Sequence, residues 1–321
     1  MIGETVSGKV PGSVTAFYAL ALGLSWAGWI PFAAARAGIL PIRVPIDVPI
    51  LAQFGPTVAA FLLVARADGL AGLRHFLARS CRWKVGFRWY VIALLLTPAI
   101  AVAWQFVHRA LGYNVPGWSD LTGIYPAYVD AFGGGGPYAL DKTIQPSAGP
   151  IAYLQDLIAR SPIWALANFL MFAIVAGPVS EEFGWRGYAL PRLQVDRTAL
   201  RSAVSVGVLW GFWHTGPDFW RLLFEGNVRA FLYPIAITMG TIPLSVLFAW
   251  MFNQTGGSLL PPMLFHASFN STVYVLTLIW VGHPPLLTGG ELVVGLWIAA
   301  TVVVVRNGAA TLTRHPTVVT P

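Results

Sequence analysis

Gly177-Pro178-Val179-Ser180-Glu181-Glu182-Phe183-Gly184-Trp185-Arg186 closes a run, residues 162–179, that is otherwise almost wholly apolar. Two adjacent carboxylates and an arginine in such a place need a reason. A charged side chain near the centre of a bilayer costs about 2.5–3.5 kcal/mol on insertion scales, so ionisable groups at membrane depth mark function or specific pairing. On a helix, Glu182 and Arg186 are four apart and share a face, so they can pair. Glu181 points about 100° away from Glu182 and finds no partner in its own segment. It must look to another segment for a proton, a metal or a hydrogen bond.

The composition agrees with a membrane setting. Of 321 residues, 56% are hydrophobic and 10% charged, whereas soluble domains carry about 25% charge. Mean hydropathy is +0.66. The fold expected is all-α, a polytopic membrane helix bundle in one integral domain, 1–321, with its motif-bearing core at about residues 160–275. About eight transmembrane helices of roughly 20 residues suit a ~30 Å apolar core. They fall near residues 14–35, 46–65, 89–108, 162–180, 200–216, 230–252, 258–281 and 287–305. Gly55-Pro56, Pro98, Pro243 and Pro261-Pro262 lie within these spans as expected kinks, which a bundle tolerates. The first run carries Trp26 and Trp29, is longer than a signal-peptide core and is followed by further spans, so it reads as an uncleaved helix.

Residues 70–88 set Arg74, Arg79, Arg82, Lys84 and Arg88 among Leu73, Phe76, Leu77 and Trp83. This is the pattern of a basic helix lying in the interface and anchored on anionic lipid. The long polar connection, residues 111–160, holds four glycines at 133–136 and reads as a linker ending in a short interfacial helix at residues 152–159. The single cysteine, Cys81, excludes an intramolecular disulfide and a cysteine metal cluster. The net charge of +7 comes from basic residues clustered between apolar spans, as orientation signals do, and not from a nucleic-acid-binding face. With both termini cytoplasmic, thirteen Lys and Arg fall inside and seven outside, which is the orientation the charge bias favours.

Two further polar groups sit in apolar spans. Val208-Leu209-Trp210-Gly211-Phe212-Trp213-His214 ends the fifth, and Trp210 lies four before His214, where it can pack on the imidazole. In the seventh, His266 and Asn270 are four apart, so one face presents an imidazole and an amide. His75, His108, His283 and His315 sit at loops or span ends, where a solvated histidine needs no explanation. Together Glu181, His214, His266 and Asn270 suit hydrolysis. A carboxylate in an apolar pocket holds its proton more tightly and becomes a usable general base, while neutral His and Asn can donate to a developing oxyanion. The same side chains, Glu181 with His214 and His266, would also make a His₂Glu zinc set with a fourth position for water. Residue types alone do not choose between the two. Read as straight rods, the spans place His214 about 20 Å along from Arg201 and away from Glu181. They meet only if a helix breaks, at Gly177-Pro178 or within residues 187–191.

Glu181-Glu182-x-x-x-Arg186, then Trp210-x-x-x-His214, then His266-x-x-x-Asn270, in that order on separate spans, resembles the CAAX-protease and bacteriocin-processing (CPBP, Abi) intramembrane proteases. The resemblance covers about residues 160–275; the family usually has phenylalanine where Trp210 stands. It implies that Glu181 activates water with help from His214, that His266 and Asn270 stabilise the oxyanion, and that Glu182 and Arg186 support the site. It implies a membrane-embedded or lipidated peptide as substrate, the bilayer as partner and no nucleic acid. Family members are often called metalloproteases, and a glutamate mechanism without metal is also proposed for them. A non-catalytic membrane immunity or scaffolding protein of the same fold is the alternative. A proton-coupled transporter is disfavoured by the lack of an internal repeat.

Overall fold

The computed structural model describes residues 13–45, 47–80, 82–113, 115, 177–279 and 290–313. Most of the fourth expected span, nearly all of the connection at residues 111–160 and Cys81 lie outside them. Every regular element among the described residues is helical. In chain order these are α1 (Val14–Arg36), α2 (Asp47–Ala52), α3 (Gly55–Ser80), α4 (Phe87–Ala110), α5 (Pro178–Glu182), a π-helical segment (Phe183–Ala189), α6 (Leu190–Leu193), α7 (Ala199–Trp213), α8 (Pro217–Phe224), α9 (Arg229–Gln254), α10 (Leu260–Ile279) and α11 (Gly290–Asn307).

Among the described residues, five stretches are long and apolar enough to cross a membrane: Val14–Arg36, Gly55–Ala78, Phe87–Ala110, Arg229–Gln254 and Gly290–Asn307. α7, at 15 residues, is short for a ~30 Å core at 1.5 Å per residue. α10 has the length, but His266 and Asn270 dilute its hydropathy. The expected kinks divide into two kinds. Pro98 and Pro243 lie inside helices, whereas Gly55-Pro56 and Pro261-Pro262 stand in the first turn of α3 and α10, where a missing N–H costs nothing.

The chain groups into two compact units. The first comprises residues 1–85, 180–260 and 302–321. Here α7 lies directly against α9: Thr241 Oγ1 donates to the Gly207 carbonyl at 2.8 Å, and a Cβ on Gly207 would stand 2.8 Å from the Ile242 Cα. Without a hydrophobic drive between helices in lipid, such close approach at small residues supplies the packing. α1 is joined to the end of α7 by a relay: Trp213 Nε1 donates to Ser25 Oγ at 2.8 Å, and Ser25 donates to the Ala52 carbonyl at 2.7 Å. Phe17, Tyr18, Trp185 and Tyr188 form an aromatic cluster beside it.

The expected interfacial helix is a separate piece of α3. Gly69, at φ +62° and ψ −155°, breaks the helical geometry, a conformation that favours glycine. Leu70 is exposed, but Phe76 is buried against Phe61 and Phe183. The helix therefore touches the π-helical segment as well as presenting an outer face.

The second unit comprises residues 86–179 and 261–301. α4 meets α10 through Thr97 and Ser268, whose hydroxyls lie 3.1 Å apart, and Ser268 also donates to the Leu94 carbonyl at 2.8 Å. α4 meets α11 where Gly295 lies against Ile100 and where His108 Nε2 stands 2.8 Å from Glu291 Oε1. His108 is buried. The reading of it as a solvated span-end histidine is corrected: with Glu291 near it, the ring has a partner that makes burial tolerable.

Candidate functional site

α5 starts behind Gly177, whose φ of +94° is reached cheaply only by glycine. Helical winding then loosens to π over Phe183–Ala189. Such segments are rare and concentrate at functional positions. A Cβ on Gly184 would stand 2.7 Å from both Cβ and the carbonyl oxygen of Pro56, so glycine is what lets the start of α3 lie on this segment. A helix starts at Pro178, one of the two places where a break is expected; the span before Gly177 lies outside the described residues.

Glu181 is 4% exposed, Glu182 and Arg186 not at all. The pairing expected from their spacing is present: Arg186 donates to Glu182 Oε1 at 3.0 Å. The guanidinium is also covered by two rings, its carbon lying 4.3 Å from the Trp210 ring centre and 4.0 Å from that of Phe248. Cation–π attraction of this kind strengthens where water is excluded.

Trp210, on α7, joins these groups to His214. Its indole Nε1 donates to Glu181 Oε2 at 2.5 Å. Its ring meets the His214 ring edge to face at 5.2 Å, as the four-residue spacing predicts. Its backbone carbonyl lies 2.9 Å from His214 Nδ1 and accepts the His214 backbone N–H at 3.0 Å. A carbonyl only accepts, so Nδ1 carries the proton and, in the neutral ring, Nε2 carries the lone pair. Trp213 packs on the other side of the imidazole at 4.9 Å. Glu181, Glu182, Arg186, Trp210 and His214 thus converge within the first unit.

His266 and Asn270 belong to the second unit. Both stand beside Gly177: a Cβ there would lie 2.8 Å from His266 Nε2 and 2.9 Å from Asn270 Nδ2. The imidazole and the amide therefore face the same point of the chain, four residues before Glu181. Sequence reasoning missed Phe248, which carries no signal among the apolar residues of α9, and the indole N–H of Trp210, which was read only as a packing ring.

Catalytic zinc takes three protein ligands. Glu181 Oε2 and His214 Nδ1 are engaged with Trp210, which leaves Glu181 Oε1 and His214 Nε2 as the ligand atoms of the first unit. Among the described residues, no three His, Cys, Asp or Glu side chains gather as a metal-holding group.

Residues 162–272 match the family model for type II CAAX prenyl endopeptidase Rce1-like proteins. Over that stretch the chain is similar to this family. The stretch contains all three motifs, from Glu181 to Asn270, and the resemblance to CPBP-type proteases is borne out. CAAX prenyl protease 2 of Methanococcus maripaludis is 23% identical over 103 residues, which is 32% of this chain and 38% of that protein. The chain therefore spans well under half of that curated relative's length. With five helices among the described residues long and apolar enough to cross a bilayer, the chain is an integral membrane protein.

Proposed function

We propose that the protein is an intramembrane endopeptidase that hydrolyses a peptide bond in a membrane-associated or prenylated, CAAX-type substrate. One observation carries the reading: in a segment of Rce1-like sequence, a buried carboxylate and an imidazole are tied to one residue, Glu181 and His214 to Trp210. Glu181 is the general base. A water attacks the scissile carbonyl carbon as its proton passes to Glu181 Oε1, the oxygen left open by the indole. His214 Nε2 accepts a hydrogen bond that orients the water. The carbonyl oxygen, now an oxyanion, takes hydrogen bonds from the His266 ring and the Asn270 amide. Collapse breaks the C–N bond, and the proton held by Glu181 goes to the leaving amine. The mechanism uses no metal, and both termini lie on the cytoplasmic side.

Glu181→Ala in detergent-solubilised or vesicle-embedded protein should abolish cleavage of farnesylated CAAX-type peptides while the helix content stays that of wild type. Equal cleavage by the variant and the wild type would remove Glu181 from the chemistry. The orientation is tested separately: a protease added outside sealed right-side-out vesicles should spare a tag at residue 321, and digestion of the tag would reverse the assignment.

A further inference from the structure

We infer that Trp210 is a positioning residue that holds the base and the imidazole in one geometry, its indole N–H fixing Glu181 and its backbone carbonyl fixing His214. The inference rests on the role of Glu181 proposed above. A carboxylate side chain in an apolar site has two equivalent oxygens and a soft terminal torsion. Left alone, Glu181 would rotate, and either oxygen could face the water. The hydrogen bond from Nε1 to Oε2 removes that freedom and leaves Oε1 as the oxygen offered.

The same residue sets His214. The two His214 nitrogens that meet the Trp210 carbonyl, backbone N and Nδ1, do so at 3.0 and 2.9 Å, so the ring is folded back on its own helix end. Its T-shaped contact with the indole fixes the ring plane. The proton is thereby held on Nδ1, and Nε2 points away from the bond. Base and imidazole are referenced to one rigid residue, with no loop between them.

The indole is itself braced. Arg186 lies over its face at 4.3 Å and Phe248 meets its edge at 5.7 Å. A cation on the ring face withdraws electron density and makes the N–H a stronger donor. Glu182 pairs with that cation at 3.0 Å. The charges of the site thus run from Glu182 to Arg186 to Trp210 to Glu181, with the indole as the one uncharged link.

Phenylalanine keeps the ring and loses the N–H. Trp210→Phe should therefore lower kcat about ten- to a hundred-fold, the range for outer groups that orient reacting ones, with KM within about two-fold. A purely packing role would leave kcat untouched. The second readout is ¹⁵N-indole NMR of the folded full chain. Of the 14 tryptophans, the Trp210 signal is the one missing in Trp210→Phe, and it should lie downfield in wild type and move upfield in Glu181→Ala. Wild-type kcat in a folded Trp210→Phe protein, or an indole signal unmoved by Glu181→Ala, would overturn the inference. If Trp210→Phe does not fold, the signal is assigned with Trp210→Tyr, and its response to Glu181→Ala decides alone. Full turnover by Glu181→Ala with the indole shift present would instead sink the general-base reading and leave the hydrogen bond standing.

Discussion

Trp210 Nε1 and Glu181 Oε2, 29 residues apart in sequence, lie 2.5 Å apart in the fold. The carboxylate that has no partner in its own segment finds one on α7, and that partner also holds His214. A hydrogen bond from an N–H to a carboxylate is of the charge-assisted kind, roughly twice as strong as a neutral pair. In a dry site it acts as a geometric constraint as much as a source of stability. The site is therefore organised by one side chain that carries no charge.

The ion pair behind it is wholly buried, so its two halves are unequal to remove. Arg186→Met removes the cation paired with the buried Glu182 carboxylate and should cost about 3–5 kcal/mol of stability. Glu182→Leu combined with Arg186→Met should recover most of that loss, because two Arg186 nitrogens have no hydrogen-bond acceptor in the protein even in the native pair. Thermal unfolding in a fixed detergent measures both. A single variant as stable as wild type would show that the pair is not desolvated.

Gly177→Ala is expected to be severe for its size. The backbone there has φ +94°, which costs a residue with a Cβ about 1–2 kcal/mol. The added methyl would also stand 2.8 Å from His266 Nε2 and 2.9 Å from Asn270 Nδ2, closer than packed atoms tolerate. Turnover should fall at least ten-fold in protein that still folds. Gly177→Ala with normal activity would mean that the segment and α10 separate in the working enzyme.

The part-buried His108–Glu291 pair makes a prediction away from the site. His108→Ala leaves Glu291 with its hydrogen-bond partner gone and should cost about 1–3 kcal/mol. Leucine at both positions should be near wild type in stability, and cleavage per folded molecule should be unchanged in each variant. Stability unaltered by His108→Ala would return the residue to its first reading, a solvated histidine at a span end.

Cleavage should survive exhaustive treatment with a membrane-permeant chelator, because the general-base route proposed for Glu181 needs no metal. Loss of activity on chelation, restored by zinc, would place a metal in the reaction and assign Glu181, His214 and His266 as its ligands.

Much of this was legible in the residues. The apolar runs mark α1, α4 and α9 to within a few residues, because a bilayer imposes a length that hydropathy reports directly. The Glu182–Arg186 pair follows from a spacing of four, which the first turn of the π-helical segment does not undo. The second span was less legible. Residues 46–65 divide between α2, which ends at Ala52, and α3, which starts at Gly55 and runs on to Ser80. The break of α3 at Gly69 and the contact of Phe76 with Phe183 depend on a glycine torsion and a long-range aromatic packing that periodicity does not record. His108 was misread for a similar reason: its burial is decided by Glu291, 183 residues away.

Sequence by itself determined that this is a helical membrane chain and which ionisable groups it tolerates in apolar spans, since each term is a local cost of burying charge or backbone. Tertiary structure alone decided which of those groups meet. Rods drawn from the hydropathy kept Glu181 and His214 apart; a helix that starts after Gly177, a stretch of π winding and an indole on α7 brought both to Trp210. Contacts of that kind arise from how segments pack against one another, and no local property of either segment encodes them.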